Sequence, residues 1–280
     1  SMFQIRGKPN IKYEINSLLR EKIKNSAAYV IDHINPTIRF EIVIQNDLSF
    51  SILSKNKEFY LLGRYRKLSR GISQKDRTKK GNVTESDLEN NVLENRDQTV
   101  ESFVNEIMSG TYNMDSYKIS WTGGEDKNSL VMGRGRPFLV KSNSYTFINK
   151  RKELFSGNGI EVEFEKIEPN DIDSIHRYKQ VVRILLKLEK APHMEVDLID
   201  KVNCLVGGVQ FVIKNKTITR RIYEAKIVAT KNDEVELLLH MDNGIPIKQF
   251  IGGQDPINPC LSDVIQVRCE CIYFDIIEFT

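Results

Sequence analysis

Between two apolar segments the chain carries the stretch SWTGGEDKNSLVMGRGRPFLV, residues 120–140. Glu125 and Asp126 follow a glycine pair, so they sit on a turn, and Arg134 and Arg136 arrive within one more short loop. A carboxylate held ionised in a dry pocket needs a nearby cation to offset its lost hydration; unpaired, it would be protonated instead. Other patterns for chemistry are missing. The sequence has no phosphate-binding G-x-x-x-x-G-K-[ST], no G-x-S-x-G and no H-E-x-x-H. His33, His176, His193 and His240 lie far apart without ligand spacing. Cys204, Cys260, Cys269 and Cys271 make no C-x-x-C pair, so they read as core thiols and the expectation is no metal site.

The elements that position such a loop can be read coarsely. YEINSLLREKIKNSAAYVIDHI has Leu18, Leu19 and Ile23 at helical spacing, and IRFEIVI, LSFSIL and KEFYLLG follow as strands. A charged stretch holds few apolar residues. A helix then begins near Thr99 with the stripe Val100, Phe103, Val104, Ile107 and Met108, and SGTYN ends it. From Tyr117 onward strands dominate: YKISW, PFLV, SYTFIN, IEVEFEKI, VQFVI, YEAKIVA, EVELLLHM and DVIQVRCECIYFDIIEF. The run IHRYKQVVRILLKLEK is too continuously apolar for periodicity to choose helix or strand. The expected fold class is α+β. A catalytic domain, residues 99–280, stands on a mixed, mostly antiparallel sheet with flanking helices; a small α/β unit occupies 1–75, and 76–98 connects them.

With 280 residues the chain can bury a substantial core. It has no apolar run near the roughly 20 residues of a membrane span and no secretory leader, and the expected location is the cytoplasm. Ser1, ahead of Met2, reads as an appended residue. The net charge of +3 says little about partners, but its distribution says more. Arg64, Arg66, Lys67, Arg70, Lys75, Arg77, Lys79 and Lys80 crowd one window beside Tyr60 and Tyr65. That block suits a phosphate backbone or a solvated linker equally well.

GGEDKNSLVMGRGRPF resembles the active-site motif G-R-E-D-x-D-V-R-x-L-G-x-G-R-P-F of the tRNA pseudouridine synthases that modify uridines 54 and 55 in the TΨC arm. In the same order, GRYRKLSRGISQ (63–74) is similar to the family's G-R-Y-x-K-x-S-R-x-x-x-Q, and NGIPIKQFIGG (243–253) to its G-T-Y-I-K-E-F-V-H-G. VRCECIYFDIIEF stands where the family has its closing strand.

The resemblance implies a metal-free, cofactor-free isomerase acting on tRNA, soluble and monomeric. Asp126 falls on the catalytic aspartate, Lys248 on its basic partner and Tyr178 on the tyrosine that stacks against the target base, with Tyr223 as a competitor. Ile247 and Phe274 match apolar pocket positions. Arg64, Arg66, Lys67 and Arg70 would contact the tRNA backbone, as would Arg134 and Arg136 unless they pair with the loop's own acids. The first 75 residues resemble a shortened THUMP-type accessory domain. Departures are Gly124 for the family's arginine, Asn128 for its second aspartate, Ser129-Leu130 for valine-arginine and Pro246 for tyrosine. They leave a rival reading, a tRNA-binding protein or RNA chaperone that keeps the fold without catalysis.

Overall fold

The computed structural model describes residues 10–25, 31–32, 34, 36, 38–47, 49–76, 98–143, 152–172, 178–189, 195–253 and 256–280. The expected strand SYTFIN, most of the charged connection, His33, His176 and His193 lie outside them. The chain divides into two compact units, Ser1–Lys57 and Glu58–Thr280. In the first, α1 (Ile11–Asn25) precedes a two-stranded antiparallel hairpin, β1 (Ile38–Ile44) and β2 (Phe50–Asn56), in register from Ile38↔Asn56 to Ile44↔Phe50.

The second unit opens with β3 (Phe59–Lys67) and α2 (Val100–Glu106), which runs into a π-turn over Ile107–Thr111. Then come β4 (Tyr117–Trp121), β5 (Val131–Ser142), β6 (Lys152–Gly157), β7 (Ile160–Ile167), β8 (Lys179–Leu188) and α3 (Glu195–Asn203). β9 (Gly207–Ile213), β10 (Lys216–Lys231), β11 (Glu234–Asp242), α4 (Ile247–Gly252), β12 (Ile257–Asn258), α5 (Leu261–Ile265) and β13 (Cys269–Phe279) complete it. One sheet takes the order β12-β9-β10-β11-β8-β13-β5-β3-β7-β6, with β4 on β5. Among the described residues β13 and β5 are its one parallel pair, so the sheet is mixed and mostly antiparallel, as expected.

Period-two burial decides the ambiguous run. In β8 Gln180, Val182, Ile184, Leu186 and Leu188 are buried while Arg183 and Lys187 face water, which a helix could not do. The helix expected at Thr99 starts there: Thr99 accepts from Ser102 N at 3.0 Å and Ser102 Oγ accepts from Thr99 N at 2.9 Å, a reciprocal cap. The last expected strand is shorter than its apolar run. Leu261 and Ile265, four apart, bury one face of α5, and Gln266 at φ 60° ends that helix before the strand begins.

The expected boundary near residue 75 moves to Lys57/Glu58, because β3 is a central strand of the large sheet, paired to both β5 and β7. Gly63 in β3 shows how tightly that centre is filled. A Cβ there would lie 2.1 Å from Phe138 Cζ, and Phe138 in turn packs tilted at 5.0 Å against Trp121 and edge-to-face at 5.7 Å against Phe164. Gly63→Ala would gain about 0.4–1 kcal/mol from a stiffer unfolded chain. Overpacking costs about 1–3 kcal/mol and wins, so the denaturant midpoint should fall.

Candidate active site

Residues 122–130 link β4 to β5, and flanking elements hold that loop at several of its backbone groups. Gln74 Nε2 donates to Gly123 O at 2.8 Å, Lys67 Nζ to Asp126 O at 2.8 Å, and Gly71 N to Lys127 O at 3.1 Å. Arg70 Nη1 donates to Asn128 O. On the other side, Asn243 Nδ2 donates to Thr122 O at 2.8 Å and Leu130 N donates to Asp275 Oδ1 at 2.8 Å. Arg70 grips the same Asp275 with both nitrogens, 2.7 Å each.

Beneath the loop Glu125 is fully buried. Its carboxylate meets Arg136 Nε at 3.0 Å and Lys67 Nζ at 3.5 Å and accepts from Tyr65 OH at 2.6 Å; Gln74 donates to that phenol at 2.7 Å. Burial pulls the Lys67 ammonium below its ordinary range, and Glu125 pulls it back. Burial and the Glu125 charge together push the Tyr65 phenol well up, so it stays a donor. The glycine-arginine run makes room for this. Gly133 and Gly135 sit at φ 57° and 78°, and the register jumps from Tyr65↔Arg136 to Lys67↔Val131, so residues 132–135 form a wide bulge. Gly123 passes so close that a Cβ would lie 2.5 Å from Arg136 Nη1.

With its neighbour anchored inward, Asp126 is turned outward. Its Oδ2 lies 2.5 Å from Lys248 Nζ, and the side chains are 40% and 55% exposed, so the pair stands at a mouth that is still wet. Lys248 is on the first turn of α4, where Ile247 and Phe250 bury the other face. The hydrogen bond to Asp126, with its charge, holds the Lys248 ammonium above its ordinary 10.5. The lysine therefore keeps its proton at every pH below that value. If the activity that the resemblance implies holds, Lys248→Met should lower turnover about 10- to 100-fold by releasing the carboxylate from its place, measured by tritium release from 5-tritiated uridine in tRNA. The wild-type pH–rate profile should show no Lys248 break below pH 10.5.

Asp126 and Lys248 flank a cavity of about 640 Å³, within the usual size for a small-molecule site. Ile247 and Phe274 line it as expected, with Trp121 and Phe211; Gln180, Arg220 and Asn243 add polar edges. Tyr178 does not line it. Arg64 Nη2 donates to its hydroxyl at 2.9 Å and lies 4.9 Å over its ring, while the ring packs with Leu62 and Leu139. Tyr223 is held elsewhere as well, donating to Asp242 at 2.9 Å under the Lys179 ammonium.

The basic block is corrected most. Lys67 and Arg136 are buried counter-ions of Glu125, Arg70 is committed to Asp275, Arg64 to Tyr178, and Arg66 to Glu161 at 2.7 Å. Arg134, 62% exposed with a loose 3.4 Å contact to Glu278, remains accessible. Arg220, missed from the sequence, lines the cavity with its Nε on Asn243 O, and no carboxylate pairs with it among the described residues.

Residues 60–196 match the family model described as Pus10, C-terminal. Nearly the whole chain aligns with proteins named tRNA pseudouridine synthase Pus10. Identity is 24% to that of Nitrosopumilus maritimus (98% of this chain, 71% of that protein) and 27% to that of Cenarchaeum symbiosum (100% and 69%). The chain is similar to tRNA pseudouridine synthases named Pus10 along nearly its whole length. Among solved structures it is similar to a chain in the crystal structure of a Cbf5-Nop10-Gar1 complex, with a TM-score of 0.43 and 13% identity over 65% of this chain and 45% of that one. The segment that the family model matches contains Asp126 with Lys67, Arg70, Gly71 and Gln74, which clamp its loop, while Asn243, Lys248 and Asp275 lie beyond it.

Proposed function

We propose that this chain isomerises uridine to pseudouridine in tRNA, at position 54, 55 or both of the TΨC arm, with Asp126 as the catalytic carboxylate. The observation that carries the reading is the Asp126–Lys248 pair at the mouth of a nucleotide-sized cavity, on a loop whose backbone is fixed from below. The C1′–N1 bond breaks, the base turns, C1′–C5 forms, the C5 proton leaves and N1 takes one up. Atoms and electrons balance without any co-reactant, so the reaction asks only for a placed carboxylate and a pocket that admits a flipped base.

Bound RNA would cover the exposed mouth and dry the pair, strengthening its Coulomb attraction. Arg134 and Arg220 are the cations best placed for the phosphates. The unit at 1–57 would serve as a THUMP-like RNA-binding accessory, and the protein would work as a cytoplasmic monomer. Among the described residues no helix is long and apolar enough to cross a membrane.

The test is incubation with unmodified tRNA transcript, followed by carbodiimide treatment and primer extension. A stop in the TΨC arm supports the assignment. Salt-dependent tRNA binding with no stop anywhere would replace it with the binding-protein reading.

A further inference from the structure

Gln180 is a polar residue in an apolar row. Its strand mates on the same face, Val182, Ile184, Leu186 and Leu188, form the larger core, and Gln180 itself is 2% exposed. Its side-chain oxygen is buried and finds no hydrogen-bond partner among the described residues. A buried acceptor left empty is costly, and a leucine there would continue the row without that cost. Gln180 also lines the cavity that holds Asp126. A buried, unpartnered amide oxygen on a residue that lines a nucleotide-sized cavity is a group waiting for a donor.

On the reading that the cavity takes a flipped uridine, we infer that Gln180 reads the imide edge of the uracil, its oxygen accepting from N3–H. The chemistry of the edge fits. A primary amide presents an acceptor beside a donor, and uracil presents N3–H beside a carbonyl, so the two match through paired hydrogen bonds. Cytosine has an acceptor at N3, which would face the amide oxygen lone pair to lone pair.

The position suits the reaction as well as the recognition. For C5 to take the place of N1 at the sugar, the ring makes a half-turn about the line through N3 and C6. That turn exchanges N1 with C5 and the C2 carbonyl with the C4 carbonyl, and it leaves N3–H where it was. One acceptor on N3–H therefore holds the base before and after the bond change. The amide N–H serves whichever carbonyl faces it. Gln180 is in this sense a pivot, while Asp126 works at the opposite side of the ring.

The experiment compares transcripts in which the isomerised uridine is kept, or replaced by cytidine or by 3-deazauridine, which has the same shape without N3–H. They compete for wild type and for Gln180→Leu. Wild type should bind the uridine transcript about tenfold tighter than either replacement. In Gln180→Leu that ratio should shrink to about two, single-turnover rate should fall about tenfold, and the thermal midpoint should stay level or rise, because an unpaired buried acceptor is gone. A lowered midpoint with the ratio intact would make Gln180 structural and overturn the inference. If the variant does not fold, wild type alone decides: equal affinity for uridine and 3-deazauridine transcripts overturns it. Wild type that isomerises uridine yet ignores N3–H sinks Gln180 only. Wild type that forms no pseudouridine sinks the proposed function and takes Gln180 with it.

Discussion

Asp126→Asn is expected to cut pseudouridine formation by roughly 10³-fold or more while leaving tRNA affinity within about threefold of wild type. The substitution keeps size and hydrogen-bonding shape and removes one charge. Lys248 loses its partner, but its side chain is 55% exposed and can be hydrated in the free protein, so no buried charge is stranded. The loop also stays put. It is held through the carbonyls of Gly123, Asp126 and Lys127, none of which the substitution touches. Stability should therefore stay within about 0.5 kcal/mol, the usual range for an exposed change. Single-turnover tritium release, filter binding and a thermal melt on one preparation separate the three effects. Retention of more than a tenth of wild-type activity would remove Asp126 from the reaction. A large fall in the melt would mean that the pair supports the fold rather than the chemistry.

Much of this site was legible in the sequence because it is local. Gly123-Gly124-Glu125-Asp126 announces a turn carrying carboxylates, and the spacing to Gly133 and Gly135 announces irregular backbone. The motif order also grouped Lys248, Ile247 and Phe274 with Asp126, and all four line one cavity, although the three lie over 100 residues away. What failed was the direction in which charges point. The resemblance gives the cations of GRYRKLSRGISQ to the tRNA backbone, while their number alone leaves a solvated linker equally open. Strand parity was the overlooked signal. Leu61, Tyr65 and Lys67 share one face of β3, so Lys67 is buried by the same alternation that buries a leucine. Once β8 is known to be a strand, parity also puts Gln180 in the row of Val182 and Ile184, which marks it as odd.

The domain boundary was out of reach for another reason. Nothing local in Phe59–Lys67 says that its partners are residues 131–142 and 160–167, and long-range pairing is what makes β3 central. Tyr178 shows the limit of motif transfer. Its position in the pattern matches a stacking tyrosine, but the pattern does not encode the Arg64 guanidinium that holds its ring and hydroxyl away from the cavity lining.

The largest stability effect is expected at Glu125 rather than at Asp126 beside it. Glu125→Gln keeps the shape, and Tyr65 can still donate to the amide oxygen, but Lys67 and Arg136 are left as two buried cations without a counter-charge. Breaking a buried pair costs about 3–5 kcal/mol, against about 1 kcal/mol for an ordinary hydrogen bond, so the charge effect dominates. At about 2–4 °C per kcal/mol for a unit of this size, the melting midpoint should drop by about 10 °C. The loss should also depend on pH in one direction. Burial already depresses the Lys67 ammonium below 10.5, and without Glu125 its main opposing charge is gone. With only the weaker Asp126 charge left to oppose burial, the folded variant sheds its proton at a lower pH than the unfolded chain, which binds more protons between those two values. Stability relative to wild type should accordingly recover as pH climbs from 7 toward 10. Adding Lys67→Met to Glu125→Gln removes one of the stranded cations and should restore part of the midpoint at neutral pH. Melts of the three proteins at pH 7 and pH 9.5 test this directly. A Glu125→Gln midpoint within 2 °C of wild type, or a deficit that widens with pH, would show that the Glu125 charge does not hold the loop in place.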